Sequence, residues 1–520
     1  MDLAGRRLRP DYAPGGKVIM THNSTNVPGP LTVSKTNPRY FSVKDTDGNE
    51  QAVYLTGSHI WNNFQDGLGP GKETVLDTPE QNDFAAYLQL LKDHHHNFIR
   101  LWRWEQFKSN AGGADFHLNM SPQPWPRTGE GTAKDGKPRF DLSTFNDVYF
   151  DRLRERVIAA GEQGMYVDVM LFDGWGLHLS PAPDNVEGHP FHAKNNINGI
   201  SITSILDHQV LPLSEPIQKL QEAYIKKVVD TVHDLTNVLY EVSNESSGGG
   251  KVGQEFADAL NLSELPDWGD STEWQYWVIN FVKQYEKEKG YEHRPIGMTM
   301  QFPVADQTKV NEPLFNSPAE WISPGYDDEI FAHGDHPMAP GSPQSHWYEN
   351  PPIADGRKVI ISDTDHYAPS KGDAMWAWKS FLRGNHPILM DYGILDVGNP
   401  EKALPGAPPI ETYDPARYAM GDTLRFAERM RLIDMTPQNE LSSTSYALVN
   451  PGKEYLILQP EETTGPFTVT LEAGTYEAEW FDITNRKTET ADERVVKNNE
   501  EVAFTAPFTT GPAVLYLRLK

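Results

Sequence analysis

Two apolar runs in this chain end on acids. Val238-Leu239-Tyr240-Glu241-Val242-Ser243 runs into Asn244-Glu245, and Val359-Ile360-Ile361-Ser362 runs into Asp363-Thr364-Asp365-His366. If both runs are strands of a parallel barrel, their C-terminal ends converge on one rim, and carboxylates distant in sequence can face each other across a pocket. Two facing carboxylates are what cleavage of a glycosidic bond requires, one as acid/base and one as nucleophile or base. Glu245, ending an otherwise apolar strand, is the candidate acid/base, since partial burial lets a carboxyl keep its proton. Asn244 beside it can hydrogen-bond a sugar hydroxyl; the alternative is a polar loop with Glu245 at a helix N-terminus.

Asp363 and Asp365 lie two apart, so an extended backbone points both to one side. They can be a nucleophile and its positioning partner, with Asp363 favoured for attack because it terminates the apolar run. With His366, and His336 as a further ligand, they can also begin a metal site. The bland alternative is a helix cap or an Asx turn. Arg100 sits inside Phe98-Ile99-Arg100-Leu101-Trp102-Arg103-Trp104. A buried guanidinium needs a carboxylate, supplied either by a pocket acid or by a structural pair. Trp102 and Trp104 suit sugar stacking or plain packing. His59, Asp173 and Trp175 follow expected strands on the same rim and are candidate substrate contacts. His94-His95-His96 precedes its strand, on the opposite rim, and is read as a solvated helix end. The tract His333-Gly334-Asp335-His336 is a loop.

The elements that must position these groups alternate between strand and helix. Strands are expected at Val53–Ser58, Phe98–Trp102, Tyr166–Phe172, Val238–Ser243, Pro295–Met300, Trp321–Ser323, Lys358–Asp363 and Pro387–Asp391, with helices at 80–94, 144–163, 214–235, 272–289, 372–382 and 415–433. Eight such repeats predict a (β/α)8 TIM barrel over 51–435. An open doubly wound sheet would show a Gly-rich turn after its first strand, and none follows Val53–Ser58. Residues 1–50 form a lead-in with a hairpin signal that caps the barrel. Long loops at 105–140 and 174–213 leave strand ends on the rim where barrels build clefts. Beyond Met435-Thr436-Pro437 the pattern turns to short alternating strands, predicting an antiparallel β-sandwich over 436–520.

Composition bounds the function. The chain has 520 residues, enough for a large domain plus a small one. A net charge of −27 argues against nucleic acid or an anionic membrane surface as partner. With no cysteine there is no disulfide, thiolate metal site or Cys nucleophile. No apolar run is long enough to span a membrane, and the first ten residues lack a signal-peptide h-region. Nothing in the sequence calls for a cofactor.

These residues resemble the large retaining clan of barrel glycoside hydrolases, the cellulase and mannanase type. That clan carries its acid/base in an Asn-Glu pair on the fourth strand, its nucleophile on the seventh and an Arg on the second. Here Asn244-Glu245, Asp363 or Asp365, and Arg100 take those places. More narrowly, Asn37-Pro38-Arg39-Tyr40-Phe41, the stretch from Tyr54 to Phe64, Asp363-Thr364-Asp365-His366 and the stretch from Trp376 to Gly384 resemble cellulase-like bacterial proteins. Their relatives include apiosidase-type enzymes, and their terminal β-domain is labelled collagen-binding. The resemblance implies a secreted or periplasmic hydrolase degrading a plant or microbial polysaccharide by two carboxylates, with retention. The clan's nucleophile is normally Glu, and the shorter Asp could widen the gap toward the roughly 6.5–9.5 Å of an inverting pair. A metal-dependent hydrolase or a non-catalytic glycan binder are the alternatives.

Overall fold

The computed structural model describes residues 25–70, 83–108, 116–178, 186–250, 267–325, 346–366, 372–394, 409–461 and 465–520. Eight parallel strands follow in chain order: β1 (Gly57–His59), β2 (Phe98–Leu101), β3 (Tyr166–Asp173), β4 (Val238–Asn244), β5 (Ile296–Thr299), β6 (Trp321–Ser323), β7 (Val359–Asp363) and β8 (His386–Met390). Each pairs with its sequence neighbours from β2 to β8, and β8 pairs in turn with β1. At the remaining seam the Asn97 N–H donates to the Thr56 carbonyl (3.1 Å) and the Thr56 N–H to Asn97 Oδ1 (2.9 Å). The backbones press so closely there that a Cβ on Gly57 would lie 2.0 Å from the Phe98 carbonyl oxygen. The result is a nearly closed barrel. Every residue of β3 and β4 is buried, as strands covered on both faces must be, which is why they are continuous apolar runs in sequence.

Helices α1 (Phe84–Asp93), α2 (Asp147–Glu162), α3 (Glu215–Val232), α4 (Thr272–Lys289), α5 (Ala374–Leu382) and α6 (Asp414–Arg429) surround the strands. Asp83, Asn146 and Asp373 each accept a first-turn N–H at the start of α1, α2 and α5. Since Asp373 caps α5, neither Asp363 nor Asp365 is spent there. A three-stranded sheet (Thr32–Val33, Phe41–Lys44, Glu50–Val53) packs Leu31, Phe41, Val43 and Val53 over Phe98, Tyr166, Leu239 and Val359 at the strand starts.

Three expectations are corrected. Val53 belongs to that capping sheet, so the first barrel strand begins four residues later, at Gly57. His94 and His96 are buried and the tract is hydrogen-bonded instead of solvated: His94 Nδ1 to the Leu90 carbonyl (2.8 Å), His95 to Glu428 (2.9 Å) and His96 Nε2 to the Arg417 carbonyl (3.0 Å). In the C-terminal region a strand, Lys487–Val496, was not anticipated. It is an exposed edge strand of a six-stranded antiparallel sheet and so lacks the apolar alternation that marks the others. A second, two-stranded sheet (Phe467–Leu471 with Glu500–Phe504) faces it across Val469, Leu471, Tyr476, Trp480 and Leu515, completing a β-sandwich.

Candidate active site

Arg100 on β2 organises the rim. Its Nε and Nη2 donate to the two oxygens of Glu241 on β4, both at 2.6 Å, and Nη2 also donates to Asn244 Oδ1 (2.8 Å). Nη1 reaches Asp363 (3.3 Å) and Asp365 (3.2 Å). One guanidinium thus joins β2, β4 and β7. His59 at the end of β1 meets Asp363 through Nε2 (2.9 Å). Asp363 also accepts the Asp365 N–H (2.9 Å), an Asx turn that rotates Asp365 out of strand geometry. The sequence-predicted residues Arg100, Asn244, His59, Asp363, Asp365 and His366 are therefore brought together.

Glu245 completes the set. Its backbone is left-handed (φ 45°), which few residues with a Cβ adopt, and such strain concentrates at functional sites. The turn is braced by the Gly174 N–H donating to the Asn244 carbonyl (2.8 Å), and by Ser246 Oγ bonding Gln209 Oε1 (2.7 Å) and Ser243 Oγ (2.8 Å). A carboxylate oxygen of Glu245, one of Asp365 and a ring nitrogen of His366 lie within 4.8 Å of one another. Glu245 and Asp365 are each 8% exposed, Asp363 only 1%.

Their electrostatics differ. Burial, then the negative charge of Asp365, pushes the Glu245 carboxyl well above the usual range. Burial and Asp363 push Asp365 up to about 6. Burial alone would raise Asp363 too, but His59, His366 and Arg100 outweigh it and hold that group low. The arrangement offers a Glu245 disposed to keep its proton beside a more acidic Asp365, with Asp363 as a fixed anion.

Among the described residues two groups of side chains have spacing a cation could use, and their proton positions decide the matter. In the first, Asn244 Oδ1 can only accept, so His366 Nε2 carries a hydrogen (3.3 Å) and Nδ1 accepts from Ser323 Oγ (2.7 Å). The second is Glu105, His189 and His208. The Phe191 N–H donates to His189 Nδ1 (3.0 Å) and Gln221 Nε2 to His208 Nδ1 (3.1 Å). Both Nε2 atoms must then donate to Glu105 (3.1 and 2.9 Å). A metal-bound His shows the reverse pattern, donating from its distal nitrogen. Both groups are hydrogen-bonded sets. His333 and His336 lie outside the described residues.

Glu105 also accepts the Asp173 N–H (3.0 Å), tying the β3 end to the loop that carries His189 and His208. Asp173 is wholly buried, and burial together with Glu105 raises its carboxyl far above normal. It supports the rim from within. Trp102 lies parallel to His59 (centroids 6.2 Å apart, 9°) with the Arg100 guanidinium over it, and Trp104 is 0% exposed with its N–H bonded to the Trp61 carbonyl (2.8 Å). Neither presents an open face, so the expectation of sugar stacking on them gives way to packing. The half-buried aromatics are Trp175, edge-on to Trp104, and Trp61, edge-on to Tyr392.

Glu241 and Asp168 were not anticipated. Asp168 on β3 is buried; burial, then the Glu241 charge, pushes its carboxyl well above the usual range. The signal was present: one acid inside the apolar run of β4 and one cation inside that of β2 must meet in the barrel interior.

Residues 113–307 match a family described as a domain of unknown function (DUF6298). No curated protein matches the chain. Among solved structures, one described as a glycoside hydrolase is 14% identical, with 95% of this chain and 98% of that one covered at a TM-score of 0.54. A glycoside hydrolase family 5 protein from Bacteroides vulgatus is 12% identical, with 95% of each chain covered and a TM-score of 0.56. At such identities the likeness establishes the fold.

Proposed function

We propose that this chain is a glycoside hydrolase that cleaves a carbohydrate by a two-carboxylate, retaining mechanism. The observation that carries the reading is the convergence of a Glu245 oxygen and an Asp365 oxygen to within 4.8 Å on the rim, close enough to suit the pair about 5–5.5 Å apart that retaining enzymes use. Glu245 protonates the leaving oxygen while Asp365 attacks the anomeric carbon. Glu245 then takes a proton from the water that releases the sugar. Attack by Asp365 is favoured over attack by Asp363, because Asp363 is enclosed and spent on His59 and Arg100. Arg100 orients Asp365, and Asn244, whose Oδ1 is engaged, offers Nδ2 to the neighbouring sugar hydroxyl. Trp175, Trp61 and Tyr392 supply apolar faces for sugar rings.

The sequence likeness to apiosidase-type relatives makes plant cell-wall polysaccharides, met outside the cytoplasm, the first substrates to screen. Among the described residues no helix is long and apolar enough to cross a membrane. The test is a panel of polysaccharides and aryl glycosides given to wild type, Glu245→Gln and Asp365→Asn, with the anomer first released read by NMR. Wild type should cleave at least one with retention, Asp365→Asn should fail on all, and Glu245→Gln should fail on the polysaccharides and on glycosides with poor leaving groups. Equal cleavage by all three sinks the reading.

A further inference from the structure

Arg100 is shared unequally. Glu241 receives two straight bonds of 2.6 Å from Nε and Nη2, the bidentate fork that guanidinium and carboxylate make best. The rim acids receive only Nη1, at 3.2 and 3.3 Å. Glu241 itself is 0% exposed and lies beside the buried Asp168. Such an acid is not needed to keep Arg100 paired, since Asp363 and Asp365 are already within reach.

We infer that Glu241 is a positioning residue: by holding the fork of Arg100 inward it limits the positive charge delivered to Asp365 and keeps that carboxylate basic enough to attack. The inference rests on Asp365 being the nucleophile. The other groups facing Asp365 are His59 from β1, Asn244 and Glu245 from the end of β4, Asp363 and His366 on its own segment, and Tyr392 beyond β8. Replacing Glu241 removes none of their charges. Without the Glu241 charge, Arg100 turns its unopposed cation toward β7, and the ionised form of Asp365 is favoured.

The experiment titrates Asp365 without any substrate. Chain labelled with 13C at the aspartate carboxyl carbons is followed by NMR against pH in wild type, Glu241→Gln and Glu241→Asp, with the Asp365 signal assigned by its loss in Asp365→Asn. In Glu241→Gln the midpoint should fall by about one pH unit or more, the effect of a cation brought to full contact. Glu241→Asp, which keeps the charge on a shorter arm, should give a midpoint between the two, and carries the test if Glu241→Gln does not fold. An unchanged midpoint in a folded variant overturns the inference, as does a rise. Because no glycoside is present, that failure is separate from a failure of the substrate panel.

Discussion

Glu245 and Asp365 are equally buried and a few ångströms apart, yet they do not behave alike: Arg100 hydrogen-bonds Asp365, while burial and the Asp365 charge push Glu245 up. Two like charges at that separation do not both ionise readily, so Glu245, pushed well above its usual range, keeps the proton. Activity should therefore be bell-shaped in pH. It should fall as pH drops below about 6, where Asp365 gains its proton, and fall again at high pH once Glu245 loses its own. A profile of kcat/KM against pH with no acid limb contradicts this assignment. Glu245→Gln should lower the rate by about 10²–10⁴-fold on glycosides with poor leaving groups and far less on activated aryl glycosides, which leave without a proton. The same residue has a cost in stability. Its folded-state pKa is raised, so the stability it contributes is present at acid pH and lost as pH rises from its unfolded value toward the folded one. Glu245→Gln escapes that loss, and its melting temperature should gain on wild type between pH 5 and pH 7; a constant difference would count against a neutral Glu245.

The strained turn at Glu245 is held by elements around it. Gly174, just beyond β3, approaches so closely that a Cβ there would lie 2.4 Å from the Ser246 Cα. Gly174→Ala should thus displace the Glu245 turn while leaving the barrel folded. A shift of about 1 Å in a catalytic group costs on the order of 10²-fold in kcat, so kinetics and circular dichroism together test the idea, and a fully active Ala variant defeats it. Much of this arrangement was legible in the sequence. Strands buried on both faces announce themselves as unbroken apolar runs, and an acid at the end of such a run stands out, which is how Glu245, Asp363 and Asp365 were found. What escaped notice depended on partners far away in sequence. Glu241 looks like a blemish in an apolar strand until Arg100 is placed opposite it. Trp102 and Trp104 look like platforms until their faces are covered by His59, Arg100 and Trp175. The strand Lys487–Val496 is exposed along most of its length, so no periodicity betrays it.

At the scale of the molecule, the sandwich is mortised into the barrel. Trp378 of α5 packs against Phe426 of α6 (5.4 Å) and Phe481 of the sandwich (5.8 Å), and Phe426 continues to Tyr516 (6.1 Å). Arg429 bonds Glu479 (2.6 Å) and Arg486 grips Asp422 through two nitrogens (2.8 and 2.9 Å). On the other side, Tyr446 donates to Asn350 Oδ1 (3.1 Å) beneath the Arg383 guanidinium. This apolar contact is continuous with the packing of α5, the helix that follows the Asp363–His366 segment. The aromatic side chains of the sandwich are buried, apart from the half-buried Phe508. If the sandwich braces the barrel through this packing, two measurements show it. Calorimetry of the full chain should give one cooperative transition, because neither part keeps its core when the shared aromatic layer opens. Trp378→Ala, which empties a fully buried site in that layer, should cost about 3–5 kcal/mol and lower barrel and sandwich signals together. Two separate transitions, with only the sandwich weakened by the substitution, would mean that the C-terminal sheets are an independent module and that the catalytic rim does not lean on them.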